Sequence, residues 1–198
     1  IMGAAGIAVF STIRTGSNVA LQGLRTIINP LMPELMNFLH KRDQEKTEVA
    51  FSTLWLVTIA FIAPCLLVVQ TFIPVIYNAW TRGKLSFDPW LFALLSLGVL
   101  VYALSQPSIA VVKGNNLLKP QLMISIMSAV IAVVGILILV PVLGIKGAGM
   151  ALLLSEIAAS VAFTKIAEKW LRNAGLEWPH QGFNVAMLSV AFTSVGVV

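Results

Sequence analysis

Long stretches without a charged residue constrain this chain most strongly. Asp, Glu, Lys and Arg are all absent from residues 49–81, 89–112 and 120–145. A helix needs about 20 apolar residues to cross the hydrocarbon core of a bilayer, and each stretch exceeds that length. A transmembrane β-barrel would instead show strands of about ten residues whose side chains alternate between inside and outside. We therefore predict an all-α, polytopic bundle of transmembrane helices.

The composition agrees with a membrane protein, because 58% of the residues are hydrophobic, 11% are charged, and the mean hydropathy is +0.92. The net charge of +5 would suggest nucleic acid as the partner of a soluble protein. Here the basic residues lie in short loops between apolar stretches, so we expect the lipid bilayer and no nucleic acid as a partner. With one cysteine and two histidines, a disulfide within the chain and a Cys- or His-based metal site are excluded, and we expect no cofactor.

The apolar stretches predict five full membrane spans and the start of a sixth. The first helix bends near Pro30 and Pro33, and residues 1–9 form a surface turn leading into it. The predicted spans cover residues 10–39, 49–72, 90–112, 121–143, 148–167 and, for the sixth, 183–198. In the third span, the sequence Ser-Gln-Pro at 105–107 is either a helix break at a site or a simple proline kink. Because the chain starts on Ile1 and ends within an apolar run, we expect residues 1–198 to be one transmembrane domain of a longer protein.

The distribution of lysine and arginine predicts the orientation in the membrane. Loops 40–48, 113–119 and 165–182 together hold eight Lys and Arg residues, whereas the alternate loops hold three. Cytoplasmic loops of membrane proteins are enriched in Lys and Arg, so the first set is predicted to be cytoplasmic, with 165–182 as a cytoplasmic connector. The first helix then runs from the outside to the cytoplasm.

A polar stripe runs along the first helix. At about 100° per residue, five polar side chains fall within an arc of about 80°: Arg14, Asn18, Gln22, Arg25 and Asn29. Guanidinium groups stay charged and bind phosphate with two hydrogen bonds, so the stripe predicts a cavity that receives an anionic headgroup. In the alternative interpretation Arg14 reaches the outer interface, Arg25 pairs with a carboxylate of another helix, and the amides bond between helices.

Glu34 is the one carboxylate within the first helix. It follows Pro33, at the end of the helix that is predicted to be cytoplasmic. Glu34 is either a gate or ion-coupling carboxylate, or it caps the helix or forms a salt bridge there.

The fifth span carries Glu156, the only charge within its predicted limits apart from Lys165 near the end. This carboxylate is either an ion-coupling group, or a structural partner of Lys146 or of an arginine in the cavity. The same span has a small-residue face formed by Ser155, Ala159 and Ala162, which predicts close packing against another helix. The chain has no phosphate loop, no dinucleotide fingerprint and no HExxH motif, so we expect that the protein is not an enzyme.

Several motifs resemble those of one transporter family. They are VFSTIRTGSN with a following PLMPEL, a charged loop containing DQEK, a proline-bearing span before YNAW, and the sequence LGIKGAGMA. Together they are similar to the C-terminal half of the polysaccharide flippases that move O-antigen-type repeat units, within the multidrug, oligosaccharidyl-lipid and polysaccharide exporter superfamily. The similarity covers nearly all of residues 1–172, or about the last five of twelve helices, and 183–198 would open an extra helix that some members have.

The resemblance implies a transporter of two six-helix lobes around a central cavity, of which this chain is one lobe. Such a protein flips a polyprenyl-pyrophosphate-linked oligosaccharide across the cytoplasmic (inner) membrane by alternating access, for the synthesis of cell-surface polysaccharide such as lipopolysaccharide. Its partners would be the anionic lipid-linked oligosaccharide and the missing N-terminal lobe. Arg14 and Arg25 are the positions that suit binding of the pyrophosphate and glycan.

Three alternatives stay open. A lipid II flippase and a multidrug exporter of the MATE type belong to the same superfamily. A drug exporter that binds cations should favour carboxylates in its cavity, and two arginines argue against it. The alternative of a different class is a membrane-integral accessory subunit of a glycan-synthesising enzyme, which would normally show clustered Asp, Glu or His side chains.

Overall fold

A computed structural model of the chain describes residues 3–197, without the side chains of residues 4, 5, 20, 27 and 197. Within these limits the chain is helical and contains no strand, which confirms the predicted all-α fold. The helices are α1 (Ala4–Ile28), a 3₁₀ turn (Asn29–Leu31), α2 (Met32–Lys41), α3 (Gln44–Val57), a π-helical turn (Thr58–Ile62), α4 (Ala63–Thr81), α5 (Pro89–Leu104), α6 (Gln106–Gly114), α7 (Leu118–Leu143), α8 (Ile145–Asn173) and α9 (His180–Val197).

Within residues 3–197, three helical segments are long and apolar enough to cross a membrane. They are Gln44–Thr81, which joins α3 and α4 through the π-helical turn, Leu118–Leu143 and Ile145–Asn173. The pair α5 and α6, bent by 53°, adds a fourth if it is counted as one span. The structure thus supports a membrane protein with three to four such spans, whereas α1, with its two arginines, and α9 lie outside this set.

The start of α1 differs from the prediction. The helix begins at Ala4, so the surface turn predicted for residues 1–9 is wrong from that residue onward, and residues 1 and 2 lie outside the described part. The backbone N–H of Ile7 already donates to the carbonyl of Gly3 at 3.2 Å. Alanine has the highest helix propensity of all residues, so the alanines of this segment offset the cost of its glycine and the helix continues.

The regular helix is interrupted at the predicted prolines. Pro30 lies within the 3₁₀ turn that ends α1, and Pro33 lies in the first turn of α2, where its missing N–H leaves no hydrogen bond unmade. In the second predicted span the helix widens into a π turn just before Pro64, and the N–H of Ala63 donates to the carbonyl of Thr58. A π turn of this kind accommodates the proline ring without ending the helix.

Helix α8 makes the most extensive contacts in the bundle, along α7 and against α5 and α6. Of its predicted small-residue face, Ser155 and Ala159 are buried and Ala162 is half-buried. The hydroxyls of Ser128 and Ser155 lie 2.7 Å apart between α7 and α8. A Cβ atom added at Gly135 would lie only 2.9 Å from the Cβ of Ala151. Small side chains therefore set the distance between α7 and α8.

The predicted cytoplasmic loops lie together at one end of the bundle. The backbone N–H of Glu177 donates to Oε1 of Gln44 at 2.9 Å, which joins the start of α3 to the segment after α8. At the same end Gly114 of α6 touches Met36 of α2. Residues 165–173 of the predicted connector continue α8, and 174–179 form its non-helical part.

The alternate loops lie at the other end of the bundle. There Phe87, from the loop between α4 and α5, and Ile145, at the start of α8, pack against a small core of Ile13, Tyr77, Leu91 and Phe92. The larger core belongs to the first end and includes an aromatic cluster of Phe51, Trp55, Trp178 and Phe183. The loops with eight and with three cationic side chains are therefore separated by the length of the bundle.

Candidate functional site: two polar clefts along α1

Helix α1 is anchored to the bundle on one side. Ile13, Leu24 and Ile28 have at most 1% of their surface exposed, and α1 makes its extensive interhelical contacts with α5. The five polar side chains of the stripe lie next to this buried face, and all five are exposed. The helical period places them along the border between α1 and its neighbours.

A cleft of about 500 Å³, here called the arginine cleft, separates α1 from α5, α7 and α8. From α1 it is lined by Arg14, Asn18 and Arg25. The opposite wall carries three hydroxyls and one carboxylate: Ser125, Ser128, Ser155 and Glu156. The structure thus brings Glu156 together with three residues of the stripe, although it lies far from α1 in the chain.

Aromatic rings orient both guanidinium groups. The Cζ atom of Arg25 lies 6.0 Å from the centre of the Tyr102 ring, and that of Arg14 lies 5.9 Å from the centre of the Phe10 ring. A cation over an aromatic face is attracted by the ring, typically by about 0.5–1 kcal/mol at exposed sites. A guanidinium group in such a contact still has N–H donors that can bind an anion.

Within residues 3–197 neither arginine forms an ion pair. The ion pair in that part of the chain joins Lys46 to Asp43 at 2.9 Å. Arg25 is therefore not paired with a carboxylate of another helix, and Glu156 is paired neither with Lys146 nor with an arginine of the cleft. The two guanidinium groups are available to an anionic ligand.

The break between α5 and α6 lies beside the cleft. Pro107 has no N–H to continue the helix, and the backbone carbonyl of Tyr102 accepts hydrogen bonds from Oγ of Ser105 at 2.9 Å and Nε2 of Gln106 at 3.2 Å. Oγ of Ser160 on α8 in turn donates to Oγ of Ser105 at 3.2 Å. The third predicted span is therefore bent by 53° at a point that side chains of the bundle hold in place.

A second cleft, here called the lysine cleft, continues from the first toward the end with the cationic loops. It has a volume of about 540 Å³ and shares Arg25 and Tyr102 with the arginine cleft. Its other polar side chains are Asn29, Gln106 and Lys113. Asn29 of the stripe thus lies here, while Gln22 lines neither cleft.

Glu34 lies apart from the arginines, in a pocket of about 350 Å³ between α2 and α3 that also contains Glu45 and Lys46. It is exposed in the first turn of α2, where the helix dipole favours a negative charge, and no side chain caps this helix start. Lys46 is engaged elsewhere: its hydrogen bond to Asp43 lowers the pKa of that carboxyl group. Glu34 therefore lines neither the arginine cleft nor the lysine cleft.

The other side of α1 faces an apolar groove of about 700 Å³. The wall opposite α1 comes mainly from the π-helical turn and α4 and includes Phe61, Cys65, Ile76 and Trp80. Val19 lines this groove and is 65% exposed, so it does not pack closely against another helix. Helix α1 thus separates a polar from an apolar surface.

Sequence reasoning missed Tyr102 and Lys113 as residues of the site. The Ser-Gln-Pro sequence at 105–107 could have indicated Tyr102, because a helix break often marks a site and Tyr102 lies one turn before it. For Lys113 the sequence indicates only a position in a cationic loop. Among the described residues, no three His, Cys, Asp or Glu side chains form a group that could hold a metal ion.

Comparisons of the chain with protein-family models, with curated proteins and with solved structures gave no match. The similarity to polysaccharide flippases therefore stays a prediction from the motifs. Any functional conclusion depends on those motifs and on the geometry of the two clefts.

Proposed function

We propose that this chain is one lobe of a membrane transporter that flips a polyprenyl-pyrophosphate-linked oligosaccharide across the cytoplasmic membrane. The observation that carries the proposal is the arginine cleft, in which Arg14 and Arg25 lie among apolar helices and form no ion pair with a carboxylate of residues 3–197. Charges at membrane depth are costly, and they characteristically mark a ligand path or a water-filled cavity. A pyrophosphate group supplies the missing negative charge.

The spacing of the arginines assigns them successive positions on the path. Arg14 and Arg25 are three helical turns apart, about 16 Å along the axis. A single pyrophosphate engages one of them at a time, and the sugar hydroxyls bind to the amide of Asn18 and to the serine hydroxyls of α7 and α8. This arrangement suits a long ligand with an anionic group and many hydroxyls.

The proposal includes parts of the protein beyond the described bundle. Among the described helices, α1 makes extensive contacts with α5 alone, so we assign its remaining polar face to a central cavity that an N-terminal lobe would complete. In this arrangement α1 with α2 crosses the membrane as the first of five spans, and α9 starts a sixth. The end of the bundle whose loops carry more Lys and Arg faces the cytoplasm.

The alternatives fit the clefts to different degrees. A lipid II flippase is the second candidate, because its ligand would present the same polyprenyl pyrophosphate to the arginines. A drug exporter for cations fits poorly, because Glu156 is the one carboxylate that the described residues contribute to the arginine cleft, and Arg14 and Arg25 line the same cleft. An accessory subunit of a glycan-synthesising enzyme would need several acidic or histidine side chains at one place.

Cysteine accessibility tests whether the stripe lines a water-filled cavity. In the full-length protein with Cys65→Ser, each stripe position from 14 to 29 is changed singly to cysteine and treated with a membrane-impermeant thiol reagent. We expect labelling at positions 14, 18, 22, 25 and 29. Leu24→Cys, at a fully buried position, and Val19→Cys, in the apolar groove, are the controls and should stay unlabelled. Protection along the whole stripe would contradict the cavity.

A further inference from the structure

The lysine cleft contains a cation to which the proposed function assigns no role. Lys113 lies at the end of α6, is exposed, and forms no ion pair with any residue of 3–197. Its cleft is contiguous with the arginine cleft through Arg25 and Tyr102. Arg14, Arg25 and Lys113 thus form a row of cations that runs along α1 toward the end with the cationic loops.

The side chains that line the lysine cleft suit an anion better than those that line the arginine cleft. Arg25 and Lys113 supply two positive charges, and the Gln106 amide has one N–H left after its hydrogen bond to the carbonyl of Tyr102. No carboxylate of the described residues lines the cleft. The arginine cleft, in contrast, contains Glu156. Lysine and arginine donate charge-assisted hydrogen bonds to phosphate oxygens, and such bonds are about twice as strong as those between neutral groups.

The backbone fixes the position of this lysine. Residues 105–112 are all buried, so the end of α6 is held by packing on α8 and α2. Next to Lys113, Gly114 lies against the sulfur of Met36 on α2, where a Cβ atom would overlap the Met36 side chain. Met36 and Gly114 both line the cleft, so this close approach forms one of its walls.

We infer that Lys113, with Arg25 and Gln106, forms a second anion subsite that binds a pyrophosphate or phosphate group at the mouth of the arginine cleft. The assignment of a lipid-linked pyrophosphate as the ligand rests on the proposed function. The subsite itself follows from the charges and amides that line the lysine cleft. An anion bound there passes to Arg14 by way of Arg25, the side chain that both clefts share.

Two introduced cysteines distinguish binding of an anion at the subsite from binding in the arginine cleft. Asn29→Cys reports on the lysine cleft and Asn18→Cys on the arginine cleft, each in the full-length protein with Cys65→Ser. Inside-out membrane vesicles are labelled with an impermeant thiol reagent at increasing concentrations of inorganic pyrophosphate, and the half-protecting concentration is measured. The measurement is repeated with Lys113→Gln, and with Lys119→Gln as the matched control, because Lys119 is exposed and lines neither cleft.

We expect Lys113→Gln to raise the half-protecting concentration about tenfold for the reporter at position 29 and at most about twofold for the reporter at position 18. Lys119→Gln should change neither value. Protection at position 18 without protection at position 29 would overturn the subsite and leave the proposed function standing. An unchanged value at position 29 in Lys113→Gln would also overturn it. If pyrophosphate protects neither reporter, both the subsite and the proposed phosphate-binding function fail.

Discussion

Arg25 is the side chain that both clefts depend on. It lines the arginine and the lysine cleft, and its guanidinium lies over the ring of Tyr102 without a carboxylate partner among residues 3–197. We expect Arg25→Ala in the full-length protein to lower transport of the lipid-linked oligosaccharide at least about tenfold, which corresponds to one lost charge-assisted hydrogen bond. Arg25→Lys keeps the charge but loses the planar fork, so an intermediate rate is expected. Transport is measured in cells that depend on the protein for surface polysaccharide.

The control for this prediction lies next to Arg25 in the chain. Thr26 is exposed on α1 outside the stripe and lines neither cleft, so Thr26→Ala should transport at the normal rate. Because Arg25 is exposed and forms no ion pair in the described part of the chain, its loss should leave the amount of protein in the membrane unchanged on an immunoblot. Normal transport by well-expressed Arg25→Ala would remove this residue from the ligand path.

The contact between α7 and α8 depends on the absence of a side chain at one position. At Gly135 an added Cβ atom would lie 2.9 Å from the Cβ of Ala151, so Gly135→Ala must push the helices apart. Overpacking of this kind costs about 1–3 kcal/mol. Gly98 of α5 is the matched control, since a Cβ atom there would meet nothing within 4 Å, and alanine favours the helix.

The two variants should therefore differ in thermal stability. During heating in detergent, followed by tryptophan fluorescence, we expect a lower unfolding midpoint for Gly135→Ala and an equal or higher one for Gly98→Ala. Because Ser128 and Ser155 line the arginine cleft at this same interface, Gly135→Ala should also widen that cleft. Equal midpoints for the two variants would mean that α7 and α8 are not closely packed at Gly135.

At the scale of the whole molecule, the hydrophobicity and charge of the sequence predict those features of the fold that depend only on residues close together in the chain. The charge-free stretches correspond to Gln44–Thr81, to the bent pair α5 and α6, and to Leu118–Leu143. The 3₁₀ turn at Pro30 and the start of α2 at Pro33 follow from the chemistry of proline itself. The wrong start of α1 has a similar local cause, since Gly and Ala at its beginning give little periodic signal.

The walls of the clefts could not be predicted in this way, because they depend on how separate helices pack. The spacing of Arg25 on its helix is local, but its contact with Tyr102 requires α1 to lie against α5. Lys113 joins the cleft only because α6 turns by 53° after Ser105. Glu156 shares the arginine cleft because α8 packs along α7 and α5. The sequence indicates an arginine of the cavity only as one possible neighbour beside Lys146.

The grouping of the loops leads to a prediction about the molecule in its membrane. The fold places the loops after α2, α6 and α8 at one end and the loops after α4 and α7 at the other, independently of any charge rule. In the full-length protein with Cys65→Ser, cysteines introduced in place of Lys41, Asn116 and Asn173 should label with an impermeant reagent only in inside-out vesicles. Cysteines in place of Lys84 and Lys146 should label only in right-side-out vesicles, and these two serve as controls for the first three.

The pattern of labelling distinguishes an error in the fold from an error in the orientation. If all five cysteines label from the side opposite to the one expected, the bundle is as described but its orientation in the membrane is the reverse of that predicted from the Lys and Arg bias. If members of one group label from different sides, the two ends of the bundle do not correspond to the two faces of the membrane. In either case Lys113 would lose its position at the cytoplasmic mouth, because it adjoins the Gly114 contact that fixes its end of α6.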